Sequence, residues 1–348
     1  MRQARKVGQN LKMKNKQSIH FAAEFLERAA RANSDSGDFK NIKLGTRAVR
    51  LINNSKSYFG GLIRDAYIET NEINPTFDFY VWDSSFPDKL PDINWASAFI
   101  ESNKPIPFIL TDPFRILFDR GQGMIFVYNT QTKIGAVWMR DHSQVDVRCC
   151  VAPFRVILSW MADDFNGEIV HASAVQLAGK GALISGSSGS GKSSLAIFGA
   201  MNGDKILSDD AVLVENGIAH AIYSRAKISH DNPVLEIQKL KTFELKDSLD
   251  GKRILPLVTL GDNFITEMKI DLFVFPVIVH MTHIEPVSSE IAKIFFIEQS
   301  LRELFDGQVA NQSRHMQLLK TFPSFRMALS GNILRDYSCL RNLVVAIS

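Results

Sequence analysis

Gly186-Ser-Ser-Gly-Ser-Gly-Lys192-Ser193 reads G-x-x-x-x-G-K-S, the pattern of a loop that cradles phosphate groups. Its surroundings suit that job. Ala182-Leu-Ile-Ser185 is a short apolar run that can form a buried strand, and Ser194 to Met201 can open a helix. Glycines let the backbone curl until its N–H groups converge on phosphate oxygens. The helix that follows adds the positive end of its dipole. The expected nucleotide-binding set is therefore Gly186, Ser187, Ser188, Gly189, Ser190, Gly191, Lys192, Ser193 and Ser194. Lys192 supplies a point charge for the β- and γ-phosphates of ATP, and the Ser193 hydroxyl can ligate Mg²⁺. A glycine–serine linker is the competing reading, but a linker would not lie between two apolar segments.

Working outward, Gly203 stands where a left-handed helix cap is wanted. Lys205-Ile-Leu207 is a short strand ending in Ser208-Asp209-Asp210, with the two carboxylates 17 and 18 residues after Lys192. In a sheet built around a phosphate loop, the carboxyl end of a neighbouring strand opens on the nucleotide. One carboxylate there can accept a proton from an attacking hydroxyl, and the other can hold Mg²⁺. A solvated pair at a loop start is the plain alternative. Ala211–Val214 and Ile218 onward flank Asn216-Gly217, a hairpin signal. Upstream, His171-Ala-Ser-Ala-Val-Gln-Leu177 reads as one strand. His171 fits a structural role, or a reach to the γ-phosphate end of the site.

These three features in register resemble the HPr kinase/phosphorylase family and its relatives. The resemblance rests on His171-Ala-Ser-Ala-Val, Gly186–Ser193 and Ser208-Asp209-Asp210, and covers about residues 168–215. It implies an α/β fold with a P-loop phosphotransferase core, related also to ATP-dependent phosphoenolpyruvate carboxykinase. It implies that Asp209 is the base for a serine hydroxyl, that His171 assists at the phosphoryl group, and that Ser193 and Asp210 serve Mg²⁺. The E-[IV]-R-G-L-G-I-type segment of the HPr enzymes is missing between Ala211 and Val279, so phosphorylase activity and HPr as acceptor are not expected. The layout is more similar to HPr-kinase-like proteins of peptide-biosynthesis clusters, some of which phosphorylate the C-terminal serine of a lasso-peptide precursor. The resemblance is also compatible with a homo-oligomer.

The rest of the 348 residues bounds this reading. Apolar residues make up 45% and charged residues 22%, an ordinary globular balance. A net charge of +3 gives no argument for nucleic acid. Arg2, Arg5, Lys6, Lys12, Lys14 and Lys16 form a basic start over 1–17, expected as a solvated, disordered arm or as an extension ahead of Met13. No secretory apolar segment follows it, and the longest apolar run, Leu272–Val279, is too short to span a bilayer. Three cysteines (Cys149, Cys150, Cys339) give no disulfide framework, so a reducing cytoplasm is the expected home.

Residues 18–148 are expected to form a smaller β-rich domain, opened by a helix at 18–33 and built on a mostly antiparallel sheet. Met124–Tyr128 and Ile134–Trp138 form a hairpin in it, and its aromatic residues serve the core. Residues 149–348 are expected to hold the kinase domain. It begins with a helix over Val151–Met161 and continues after the loop with a polar, lid-like stretch at 226–265. A buried strand at Ile270–Val279, a strand at Ile291–Ile297 and helices near Ser300–Leu304 and Gly331–Leu343 complete it. Arg225, Lys252 and Arg253 are candidate cations for the moving phosphoryl group, although each alone also fits a surface charge.

The sequence thus points to an ATP/Mg²⁺-dependent kinase whose acceptor is a serine of a peptide or small protein. Two other classes stay open: a nucleotide-operated module that recruits a peptide without transfer, and a kinase for free serine or another metabolite.

Overall fold

A computed structural model of the chain describes residues 2–34, 39–53, 66–84, 90–91, 108–119, 121, 123–140, 152–230, 232–236, 246–247, 252–301 and 312–347. The expectations for Cys149, Cys150 and the 148/149 domain boundary lie outside them, as do parts of the 226–265 stretch and residues 302–304.

The first half is a sheet between helices. Helix α1 (Arg2–Ala32) continues through the basic segment, where a disordered arm is expected. Phe21, Ala22, Phe25, Leu26, Ala29 and Ala32 recur at helical spacing and are buried on the sheet against Trp82, Ile116 and Val127. The strands are β1 (Phe39–Leu44), β2 (Arg47–Asn53), β3 (Phe77–Asp83), β4 (Phe108–Thr111), β5 (Phe114–Asp119), β6 (Met124–Asn129) and β7 (Ile134–Met139). Their order is β1-β2-β3-β7-β6-β5-β4. β3 runs parallel to both β2 and β7, so the sheet is mixed, while the other neighbours are antiparallel as expected.

The opposite face of this sheet is covered by α2 (Arg155–Asp163), whose Ile157, Leu158 and Met161 pack with Phe79, Val81, Phe126 and Val137. The approach is close: a Cβ on Gly135 would come within 2.7 Å of Ile157 Cδ1. The helix expected to open the second half is therefore part of the core of the first.

From β8 (Glu168–Val170) the chain enters a second α/β body. Its elements are β9 (Ser173–Leu177), β10 (Lys180–Ile184), α3 (Lys192–Met201), β11 (Lys205–Ser208), β12 (Val212–Glu215), β13 (Ile218–Ala221), β14 (Arg225–Ser229), β15 (Lys246–Asp247) and β16 (Lys252–Pro256). They continue with β17 (Glu267–Lys269), β18 (Leu272–Ile278), β19 (His283–Val287), α4 (Ser289–Leu301), α5 (Gln312–Thr321), β20 (Ser324–Leu329) and α6 (Ile333–Ala346).

A six-stranded sheet, β11-β9-β10-β18-β20-β19, is the frame. β10, β18 and β20 run parallel, while β9 and β19 run antiparallel to their neighbours. α3 and α6 cover one face, where Leu195, Phe198, Tyr337 and Leu340 meet Ile184, Val274 and Met327. Ala292 and Phe296 of α4 and Leu319 of α5 cover the other, against Leu183, Phe273 and Phe275. Burying a residue such as Phe273 completely contributes roughly 2–3 kcal/mol. A four-stranded antiparallel sheet, β17-β13-β12-β8, and a three-stranded one, β14-β16-β15, complete the body. No helix among the described residues is long and apolar enough to cross a membrane.

Several expectations are corrected. The strand expected over His171–Leu177 is present but begins only at Ser173. β8 ends at Val170 in the four-stranded sheet and β9 starts at Ser173 in the six-stranded one, so His171 sits where the chain changes sheets. Ile291–Ile297 is helical, not extended: the buried Ala292 and Phe296 are four apart, a helix period that the run of apolar residues conceals. The described part of 226–265, expected to hold few clear elements, contributes to the three-stranded sheet and forms a 3₁₀ segment at Leu257–Asn263. α5 and the parallel strand β20 are additions that the sequence reading missed. The Asn216-Gly217 hairpin is present, with both turn residues at positive φ (50° and 77°), as a type I′ turn requires.

Candidate active site

The glycine-rich loop leaves the carboxyl end of β10 and runs directly into α3. Gly189 and Gly191 have φ of 81° and 99°, conformations that other residues adopt only with strain. At Gly191 a Cβ would also come within 2.5 Å of Leu329 Cδ1, so the last turn before the helix is fitted against β20. Ser187, Ser188 and Gly189 form an exposed crown, whereas Ser190 is buried under it and its Oγ has no hydrogen-bond partner. Lys192 is only 7% exposed. Its Nζ donates to the carbonyl oxygens of Gly186 and Ser187, the latter at 3.1 Å, so the ammonium lies inside the curl of the loop. Ser194 is held from outside by Asn232 Nδ2 at 2.8 Å.

The two aspartates diverge at the end of β11. A register shift between Ile206 and Ser208 bulges this strand against β9 and re-aims the residues that follow. Asp209 turns inward and is 2% exposed. Its Oδ1 accepts from Ser193 Oγ at 2.9 Å and from Ser173 Oγ, and its Oδ2 accepts from the Lys227 amide at 3.2 Å. Asp210 adopts a left-handed φ of 76° and its side chain is 34% exposed. His171 Nδ1 lies 2.8 Å from the Asp210 carbonyl oxygen and 3.3 Å from its Oδ1. A carbonyl oxygen only accepts, so Nδ1 carries the proton and Nε2 is the nitrogen with a lone pair in the neutral ring. The Ser185 hydroxyl donates to the His171 carbonyl at 3.0 Å, tying the sheet switch to the start of the glycine-rich loop.

The structure therefore brings Lys192, Ser193, Asp209, Asp210 and His171 to one mouth of the sheet, with one rearrangement. The resemblance puts Ser193 with Asp210, whereas here Ser193 bonds Asp209 and Asp210 sides with His171. Ser173, the Lys227 amide and Asn232 join the site unforeseen. The first had a faint signal, since it lies two residues after His171. The amide had none, because a backbone donor carries no residue signature.

The candidate cations separate by face. Ala226, Ile228 and Leu255 point into the core under α3, so strand alternation puts Arg225 and Lys227 on the opposite face of β14. Lys252, paired with Ser229, shares their face, and Arg253, paired with Ile228, lies on the core side. Arg225 is 5% exposed and is not the surface charge it could have been.

Burial pushes the Asp209 carboxyl above the usual aspartate range, and the nearby Asp210 charge pushes the same way. Hydrogen bonds from Ser173, Ser193 and Lys227 oppose this only in part. The folded chain thus holds this proton more tightly than the unfolded chain, and stability falls as pH rises from the unfolded value through the raised folded one. Asp209→Asn removes that slope. The variant's melting temperature relative to the native chain is expected to climb as pH is raised from about 4, read from thermal melts in pH steps. A pH-independent difference would mean that Asp209 titrates alike in the two states.

The donor chemistry fits Mg²⁺. Ser193 Oγ and the Asp209 carboxylate are hard oxygens meeting beside the loop. Among the described residues no three His, Cys, Asp or Glu side chains gather into a metal cage. A cation here would share its shell with phosphate oxygens and water, the habit of Mg²⁺.

No family model and no curated protein matches the chain. Among solved structures it is similar to the Hpr(Ser) kinase/phosphatase from Coxiella burnetii, with 13% identity and a TM-score of 0.30, over 52% of this chain and 98% of that one.

Proposed function

We propose that the chain is an ATP- and Mg²⁺-dependent phosphotransferase acting on a serine hydroxyl of a peptide or small protein, with the body that begins at β8 as its kinase core. The observation that carries this reading is the Ser193–Asp209 hydrogen bond, which binds the acidic pair to the first turn of α3 and sets Asp210 and His171 at the same opening. A nucleotide switch needs only the loop, whereas a second carboxylate with a paired histidine is equipment for moving a proton.

In this reading Mg²⁺, when bound, offsets charge on the β- and γ-phosphates. The chain's own residues do the rest. The loop amides and the α3 dipole hold the phosphate chain, and Lys192 neutralises charge at its end. Ser193 and Asp209 would supply the protein oxygens that hold the metal. Asp209 is occupied by three donors and nearly sealed from solvent, which suits holding more than proton exchange. Asp210, exposed enough to meet an incoming hydroxyl, orients it and accepts its proton. His171, fixed by its Nδ1–H bond to the Asp210 backbone, presents Nε2 to the transferring group. This assignment reverses the two aspartates relative to the family resemblance.

The test is transfer from γ-labelled ATP with Mg²⁺ to a panel of free serine, HPr and serine-containing peptides. Label on a peptide serine is the expected result. Label on free serine alone would replace the acceptor class, and tight ATP binding with no label on any acceptor would favour the recruitment module.

A further inference from the structure

The carboxyl ends of β18 and β20 carry an apolar shelf beside the phosphate loop that the proposed chemistry does not use. Ile278 is 48% exposed and pairs directly with Leu329, the residue whose Cδ1 abuts Gly191. The β18–β19 turn beyond it exposes Met281 at 61%, and Leu334 at the start of α6 is exposed as well. The shelf is fixed rather than loose. Asp336, at the start of α6, accepts from the amides of Ser330 and Gly331 and from the Thr282 hydroxyl, so one buried carboxylate ties the β18–β19 turn to the β20–α6 turn. The Val279 amide adds a bond to the Leu329 carbonyl at 3.0 Å.

We infer that this shelf, with Ile278 at its inner edge and Met281 at its outer one, seats the base of the nucleotide whose phosphates occupy the loop. The inference rests on the proposed function and names a subsite of that same site. Strand order gives the direction. Asp209 and Asp210 follow β11, on one flank of β10, and β18 and β20 lie on the other. A triphosphate whose terminal group meets the aspartates and His171 must leave its nucleoside toward the opposite flank. The residue beside Gly191 on that flank is the buried Leu329, and its strand partner Ile278 is the first exposed apolar side chain there. An apolar floor suits a flat heteroaromatic ring, which covers exposed methyl groups and loses little hydration from its faces.

The experiment compares binding of ATP and of inorganic tripolyphosphate, both with Mg²⁺, to the native chain, Ile278→Asp and Met281→Asp. Both positions are exposed, so the fold should tolerate the changes, and tripolyphosphate binding serves as an internal control for an intact loop. ATP affinity is expected to fall about tenfold or more in Ile278→Asp, and less in Met281→Asp, with tripolyphosphate affinity unchanged. Unchanged ATP affinity in both variants would overturn the inference, as would equal losses for the two ligands. A raised KM for the acceptor with ATP affinity intact would also overturn it, by assigning the shelf to the acceptor. If the native chain binds ATP and phosphorylates nothing, the kinase reading falls while the shelf is still decided. If it binds neither ligand, both fall.

Discussion

Lys192→Ala is expected to reduce phosphoryl transfer by about 10³-fold or more, the loss seen when a preorganised charged donor is taken from a transition state. The ammonium is nearly buried and already aimed into the loop, bonded to the carbonyl oxygens of Gly186 and Ser187. Alanine removes the only positive side chain within Gly186–Ser194 and leaves two carbonyl oxygens without that donor. The cost should appear in kcat and in ATP affinity together, because the charge serves both the bound nucleotide and the moving group. Stability should change far less, since the core under α3 is untouched and a lost buried hydrogen-bond partner costs about 1–3 kcal/mol. Initial-rate kinetics beside a thermal melt would check both. A folded variant retaining near-native turnover would remove Lys192, and with it the phosphate loop, from the chemistry.

The second large effect separates the aspartates. Asp210→Asn is expected to lower kcat by about 10² to 10⁴-fold with little change in nucleotide affinity, the range for loss of a proton acceptor. Asparagine is a clean probe there because it tolerates the left-handed backbone that Asp210 adopts. Asp209→Asn should act on the metal instead. The apparent Mg²⁺ requirement rises, nucleotide affinity at low Mg²⁺ falls, and raising Mg²⁺ restores part of the rate. A Mg²⁺ titration of both variants decides between this assignment and the reverse one that the resemblance implies. If Asp209→Asn binds Mg·ATP normally and fails only in transfer, Asp209 is the base and the roles return to the family pattern.

Much of the site was legible because its signals are local. G-x-x-x-x-G-K-S between an apolar strand and a helix depends on backbone freedom at a few glycines, and Gly189 and Gly191 do take the left-handed φ that the pattern demands. The Asn216-Gly217 turn was readable for the same reason. Periodicity failed where burial is two-sided. Ile291–Ile297 is apolar at most positions and so looked extended, and only packing of Ala292 and Phe296 on the sheet makes it a helix. The break at His171 also escaped. A residue that lets the chain leave one sheet and enter another looks, in sequence, like the first residue of a strand.

The sequence by itself determined that a glycine-rich loop, an acidic pair and a histidine belong to one α/β body, because each is encoded within a few residues. Tertiary structure alone decided which aspartate faces Ser193. That choice depends on the register of β11 against β9, where a bulge between Ile206 and Ser208 turns Asp209 inward and leaves Asp210 partly exposed beside the buried His171. Register is a property of two strands about thirty residues apart in the chain, and a shift of one residue exchanges the faces on which side chains emerge. Other long-range pairings, β14 with β16 and β18 with β20, carry the Lys227 amide to Asp209 and Leu329 to Gly191.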